Sequence, residues 1–123
     1  MLNRREIIIY LSGPYTGDIN NNILRARKVA IQLWEKGFTV ICPHLNTQNF
    51  EVDCKIKYED YVVGDCEIVK RCDIIFMLPE WEDSVGAKEE RNTAHLYYKP
   101  VVYSMEELEK LIKEKDENTS ITA

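Results

Sequence analysis

Two apolar runs, Glu6-Ile7-Ile8-Ile9-Tyr10-Leu11 and Asp73-Ile74-Ile75-Phe76-Met77-Leu78, do most to limit what this chain can fold into. Neither alternates polar with apolar. A strand that is apolar on successive residues is covered on both faces, the situation of a parallel strand between two helical layers. Helical periodicity fills the intervals. From Asn21 to Lys36, Ile23, Ala26, Val29, Ala30, Leu33 and Trp34 fall on one face, and Gly37 is placed to close the helix as its C′ residue. Phe38 to Cys42 reads as a second strand, and Pro43 to about Lys57 as a long loop without pattern. A helix carrying Asp65 runs from Tyr58 to Cys72. The loop Pro79 to Asp83 leads into a helix carrying Glu90, Pro100 to Tyr103 is a short strand, and Met105 to about Lys115 is a last amphipathic helix. The order β-α-β-α-β-α-β-α predicts one three-layer α/β domain over residues 1–115 with a mainly parallel sheet of four or five strands. Residues 116–123 are polar and expected to fray.

Such a fold places ligands at the carboxyl ends of its strands. Three informative segments fall there: Ser12 to Asp18, His44 onward, and Pro79 to Gly86. The length of 123 residues suits one core, and the net charge of −5 argues against a nucleic-acid polymer as partner. A single nucleotide needs only a local site. No apolar run approaches the roughly 20 residues of a membrane span, and the N-terminus passes into a strand without a signal-peptide pattern. The four cysteines (Cys42, Cys54, Cys66 and Cys72) form no C-x-x-C pair, and His44 and His95 lie far apart. A zinc site is therefore poorly supported, and reduced, packed thiols indicate a cytoplasmic protein.

Two acids fall on apolar helix faces. At roughly 100° per residue, Glu90 lies within the stripe of Ala87, Ala94, Tyr97 and Tyr98, whereas Glu89 lies outside it and Lys88, Asn92 and His95 lie opposite. Asp65 lies at the centre of the stripe Tyr58, Tyr61, Val62, Ile68, Val69 and Cys72. A carboxylate in such a place needs a partner or a task. Two of them, on separate helices around a strand, suggest paired acids at one site, or else two buried hydrogen bonds or ion pairs.

The loop Ser12-Gly13-Pro14-Tyr15-Thr16-Gly17 has the position of a phosphate loop but matches neither a Walker A nor a G-x-G-x-x-G pattern, so it is an anion site or a tight structural turn. Ser84 and Gly86 open the Glu90 helix, where free N–H groups suit an anion and where Ser84 can equally serve as N-cap. Tyr10 stands near the end of the first strand, either donating to Glu90 or satisfied elsewhere in the core. His44 either touches a ligand or is exposed. Trp81 either stacks on a base or covers the sheet edge.

Taken together, Ile9-Tyr10-Leu11-Ser12-Gly13-Pro14, Asp65 eight residues before Asp73, and Ser84-x-Gly86-x-x-x-Glu90 resemble the nucleoside 2-deoxyribosyltransferase superfamily, in particular its short phage and bacterial members and the 2′-deoxynucleoside 5′-monophosphate N-glycosidases. The resemblance covers about Ile7 to Val102. It implies a flavodoxin-like fold, no cofactor, a homodimer or larger assembly with the site completed by a neighbouring copy, and a deoxynucleotide or deoxynucleoside substrate. It implies Glu90 as nucleophile at C1′, Asp65 as the acid that orients and protonates the base, and Tyr10 as the hydrogen-bond partner of Glu90. Retaining glycosidases use the same pairing of acids. The resemblance also implies a 5′-monophosphate, because the glycosidases have serine where Ser84 stands and the transferases tend to have an acid. Their loop tends to carry an arginine, which is missing between Ser12 and Asn22. Base exchange between deoxynucleosides is the alternative within this class. A nucleotide-binding module without turnover is the rival outside it. A flavin carrier fits less well, because the first loop lacks a run of hydroxyl residues.

Overall fold

A computed structural model describes residues 2–122. Four parallel strands form one sheet in the order β2-β1-β3-β4, with β1 Ile8–Ser12, β2 Thr39–Ile41, β3 Ile74–Met77 and β4 Val101–Val102. β1 is central, pairing Tyr10 with Ile41 on one side and Tyr10 with Ile75 on the other. The helices are α1 Ile19–Glu35, α2 Pro43–Asn46, α3 Phe50–Asp53, α4 Tyr58–Val69, α5 Val85–Leu96 and α6 Met105–Thr122.

The two-residue period of the strands divides the core. Ile9, Leu11, Ile74 and Phe76 face one way and pack with Ala26, Ala30 and Leu33 of α1 and with Leu108 and Ile112 of α6. Tyr10, Ile75 and Met77 face the other way and pack with Val69 of α4 and with Ala87 and Ala94 of α5. This is the expected three-layer α/β architecture, and both long apolar runs are strands because each is covered twice. Gly37 closes α1 at φ +100°.

Several local expectations are corrected. The presumed loop Pro43 to Lys57 contains the one-turn helices α2 and α3, too short for a periodic signal. Trp34 is half-exposed beneath the Arg5 guanidinium, 5.3 Å from the ring centroid, and does not belong to the inner stripe of α1. Helix α5 ends at Leu96, so Tyr97 and Tyr98 leave its buried face and are exposed. Helix α6 runs to Thr122, within the segment 116–123, and Asp116 Oδ1 accepts from Leu2 N at 2.7 Å; Ala123 lies outside the described residues. No helix among the described residues is long and apolar enough to cross a membrane.

Candidate active site

The strand order reverses between β1 and β3, because the connection from β1 leads to β2 on one side and the chain then returns past β1 to β3 on the other. At that switch point the carboxyl ends of β1 and β3 run close together. Leu78 N donates to Ser12 O at 2.7 Å, and a Cβ on residue 13 would stand 2.8 Å from Leu78 Cβ. Only glycine fits there. The chain after β1 therefore turns outward at Gly13 and leaves an opening above the sheet.

A pocket of about 260 Å³ occupies this opening. Gly13 comes from the first loop, His44 from α2, Glu51 from α3, Asp65 from α4, and Ser84, Gly86 and Glu90 from the start of α5. The two helix-borne acids singled out by their phase are thus brought to one cavity. Glu90 is 5% exposed and its neighbour Glu89 is exposed, as their opposite helical placement requires.

Glu90 has a partner that was not expected, beside Tyr10. Ser12 Oγ donates to Glu90 Oε1 at 2.7 Å, fully buried. Tyr10 is also fully buried beside Glu90, and its hydroxyl, though short of a well-formed hydrogen bond, favours the charged carboxylate. Tyr10 and Ser12 share a strand face two residues apart, and the residue nearer the strand end reaches the carboxylate. Ser12 is therefore a buried support for Glu90 and does not line the pocket.

Burial dominates the electrostatics. It raises the Glu90 carboxyl to about 8; the Ser12 hydrogen bond opposes this and the charge of Asp65 adds to it. Burial also raises Asp65 to about 6. The charge of Asp65 thus acts on Glu90, whereas Asp65 itself is raised by burial alone. His44, expected to be either at a ligand or exposed, is buried and lines the pocket. Its Nε2 lies 2.6 Å from Pro14 O, so this nitrogen carries the hydrogen. Burial lowers its pKa and keeps the ring neutral. Pro14 thus holds His44 through its carbonyl and is not itself part of the wall.

Ser84 acts as N-cap, its Oγ accepting from Ala87 N at 3.1 Å. Gly86 N donates to the Tyr58 hydroxyl at 3.1 Å. Trp81 is not in the pocket. It lies under Arg91, whose guanidinium carbon is 4.7 Å from its ring, and beside Tyr103, to which Arg91 Nε donates at 2.7 Å.

Sequence reasoning missed several wall residues. Tyr58 and Tyr61 looked like core positions of α4 yet line the cavity. Tyr15 accepts from Asn49 N at 2.9 Å and donates to Glu51 at 3.0 Å, which ties α3 to the first loop. Asn22, at the start of α1, holds the same loop by donating to Tyr15 O and Thr16 O. Periodicity gives no signal for such contacts across loops. Among the described residues, no group of three or more His, Cys, Asp or Glu side chains is placed to hold a metal, and no lysine or arginine lines the pocket.

The fold is shared with solved 2-deoxyribosyltransferases. One from Leishmania mexicana superposes with a TM-score of 0.59 at 18% identity, covering 79% of this chain and 63% of that one. Another, from the psychrotolerant bacterium Bacillus psychrosaccharolyticus, gives a TM-score of 0.54 at 25% identity, covering 76% of this chain and 69% of that one. This chain thus spans less than two thirds of the length of the Leishmania protein. The resemblance to the nucleoside 2-deoxyribosyltransferase superfamily read from the sequence is matched by these superpositions. No curated protein matches the chain in sequence. Residues 7–103, the whole sheet and the pocket with it, match one family throughout, and the chain belongs to that family, described as Domain of unknown function (DUF4406).

Proposed function

We propose that this protein is an enzyme that cleaves the N-glycosidic bond of a 2′-deoxynucleoside or its 5′-monophosphate through a covalent intermediate on Glu90. The observation that carries this reading is a buried carboxylate, hydrogen-bonded by Ser12, sharing a strand-end pocket with a second, half-buried acid. The solved structures with this fold are named as 2-deoxyribosyltransferases, which agrees with it.

In this mechanism a Glu90 oxygen bonds to C1′ of the sugar. The N-glycosidic bond breaks with its electron pair passing to the base, and Asp65 delivers a proton to the departing nitrogen. The anionic Glu90 stabilises the positive charge that builds on the sugar. Water or a second base then attacks C1′, Glu90 leaves as carboxylate, and the proton of the attacking group returns to Asp65. Water gives hydrolysis; a base gives exchange.

Two features weigh on the 5′ end in opposite directions. A serine at position 84 accommodates a phosphate where a carboxylate would repel it. Yet Ser84 Oγ already caps α5, and Glu51, Asp65 and Glu90 give the pocket acidic walls. The charge favours a neutral 5′-hydroxyl. A neighbouring copy bordering the pocket accords with the exposed apolar groups Ile56, Tyr58, Val63 and Val85 around α4 and the start of α5, and the four free cysteines accord with a cytoplasmic location.

The test is chromatographic detection of free base from a panel of deoxynucleosides and their 5′-monophosphates, with and without a second base. Release without an acceptor identifies a hydrolase, and release only with one identifies a transferase. No release from any member, by folded protein, refutes the reading and leaves a binding module. Size-exclusion chromatography with light scattering tests the assembly.

A further inference from the structure

Tyr58 is the first residue of α4, and Lys57 before it makes no side-chain cap. By helical phase it belongs to the apolar stripe, yet the residue is 43% exposed and lines the pocket. Its hydroxyl oxygen accepts the Gly86 N–H at 3.1 Å. The contact is close: a Cβ at position 86 would lie 2.7 Å from this oxygen, so a larger residue there would push the phenol aside. The N–H groups of Gly86 and Ala87 that α5 turns toward the cavity are therefore already engaged, one by Tyr58 and one by Ser84. A phenol that accepts one hydrogen bond still has its own O–H to give. Among the described residues no acceptor takes it.

From this geometry we infer that the Tyr58 hydroxyl recognises the 5′ end of the substrate, donating its O–H to a neutral 5′-hydroxyl oxygen while Gly86 N–H fixes its position. The inference rests on the proposed reaction and adds a specificity-determining residue to it. The Gly86 hydrogen bond orients the phenol before any ligand arrives, so little ordering is needed on binding. The surroundings suit a neutral acceptor, since three carboxyl groups and no cation face the same space. A site built around a hydroxyl discriminates strongly against an analogue that lacks it, because the donor is then left unpaired.

The experiment compares each 2′-deoxynucleoside of the panel with its 2′,5′-dideoxy counterpart, in wild type and in Tyr58→Phe. Phenylalanine keeps the ring and its packing and removes only the hydroxyl. Wild type is expected to prefer the 5′-hydroxyl compound by about tenfold in kcat/KM, the worth of one hydrogen bond. Tyr58→Phe is expected to bring that ratio near unity, whatever the loss of the Gly86 contact does to both rates together. A merely structural role would lower both substrates together and leave the ratio intact, which overturns the inference, as does a wild type that does not discriminate. If no compound is turned over, the proposed reaction fails on its own account. Calorimetric affinities for the same pairs then decide the role of Tyr58, and equal affinities in wild type or an unchanged preference in Tyr58→Phe overturn it.

Discussion

Ser12 Oγ donates a buried 2.7 Å hydrogen bond to Glu90 Oε1, tying the end of β1 to the inner face of α5 across 78 residues of sequence. The bond favours the charged form of a group that burial pushes towards neutrality. Ser12→Ala removes it. The titration midpoint of Glu90 is then expected to rise above about 8, by about one to two pH units, the worth of a hydrogen bond to a charged group. Side-chain 13C NMR titration reads this without reference to turnover. A midpoint that stays or falls would show that the bond does not hold the carboxylate.

The same burial links Glu90 to stability. In the fold its carboxyl keeps a proton up to about 8, whereas the ordinary value is 4.5. Between these values the folded state binds more protons than the unfolded, so stability contributed by this group is present at low pH and lost as pH rises through about 8. Glu90→Gln resembles the protonated form and can still accept from Ser12. It is expected to melt above wild type at pH 9, by a few kcal/mol, with the gap closing towards pH 5. Turnover should vanish in Glu90→Gln and persist in the exposed Glu89→Ala. Equal loss in both would remove Glu90 from its role.

Asp65 and Glu90 share the pocket, and the proposed chemistry uses the one-proton form with the proton on Asp65, the minor arrangement because Glu90 keeps its proton to the higher pH. Burial places their values at about 6 and about 8. The dependence of kcat/KM on pH is expected to be a bell with limbs near those values, falling on the acid side when both acids are protonated and on the alkaline side when neither is. In Asp65→Asn the like charge is gone. The Glu90 midpoint is expected to move down and the bell to lose one limb, with turnover reduced about 10²- to 10⁴-fold, the usual worth of a general acid. A bell unchanged by Asp65→Asn would exclude the pairing.

These results indicate what a sequence of this kind discloses. The strands were legible because residues such as Ile74 and Ile75 are buried on opposite faces, which leaves an apolar run with no alternation. Glu90 and Asp65 were legible because a helix converts spacing into direction. Tyr10 and Ser12 could not be ranked, since both lie on the correct strand face and the choice depends on how far each side chain reaches. Tyr58 was misread because a stripe identifies a face but not what covers it, and the first residue of α4 stands over the pocket rather than the sheet. Trp81 was left between two readings because its partner Arg91 lies on the following helix, a contact no local pattern encodes.

The glycines give a last prediction, in which position decides the sign. Gly13 fits where β1 and β3 converge, and an added methyl group would meet Leu78 Cβ at 2.8 Å and Cδ1 at 2.9 Å. Neither strand end can yield without disturbing the Ser12 O to Leu78 N hydrogen bond. Gly13→Ala is expected to cost about 1–3 kcal/mol, as overpacking does. Because Ser12 is the adjacent residue, Gly13→Ala should also weaken the hold on Glu90 and raise its midpoint. Gly64 lies inside α4, exposed, at ordinary helical angles and with nothing within 4 Å of an added Cβ. There a glycine only adds freedom to the unfolded chain, so Gly64→Ala is expected to stabilise by ~1 kcal/mol. Thermal melts of the two variants should shift in opposite directions. A destabilised Gly64→Ala would mean that this face of α4 is covered in solution, which links the measurement to the proposed contact with a neighbouring copy.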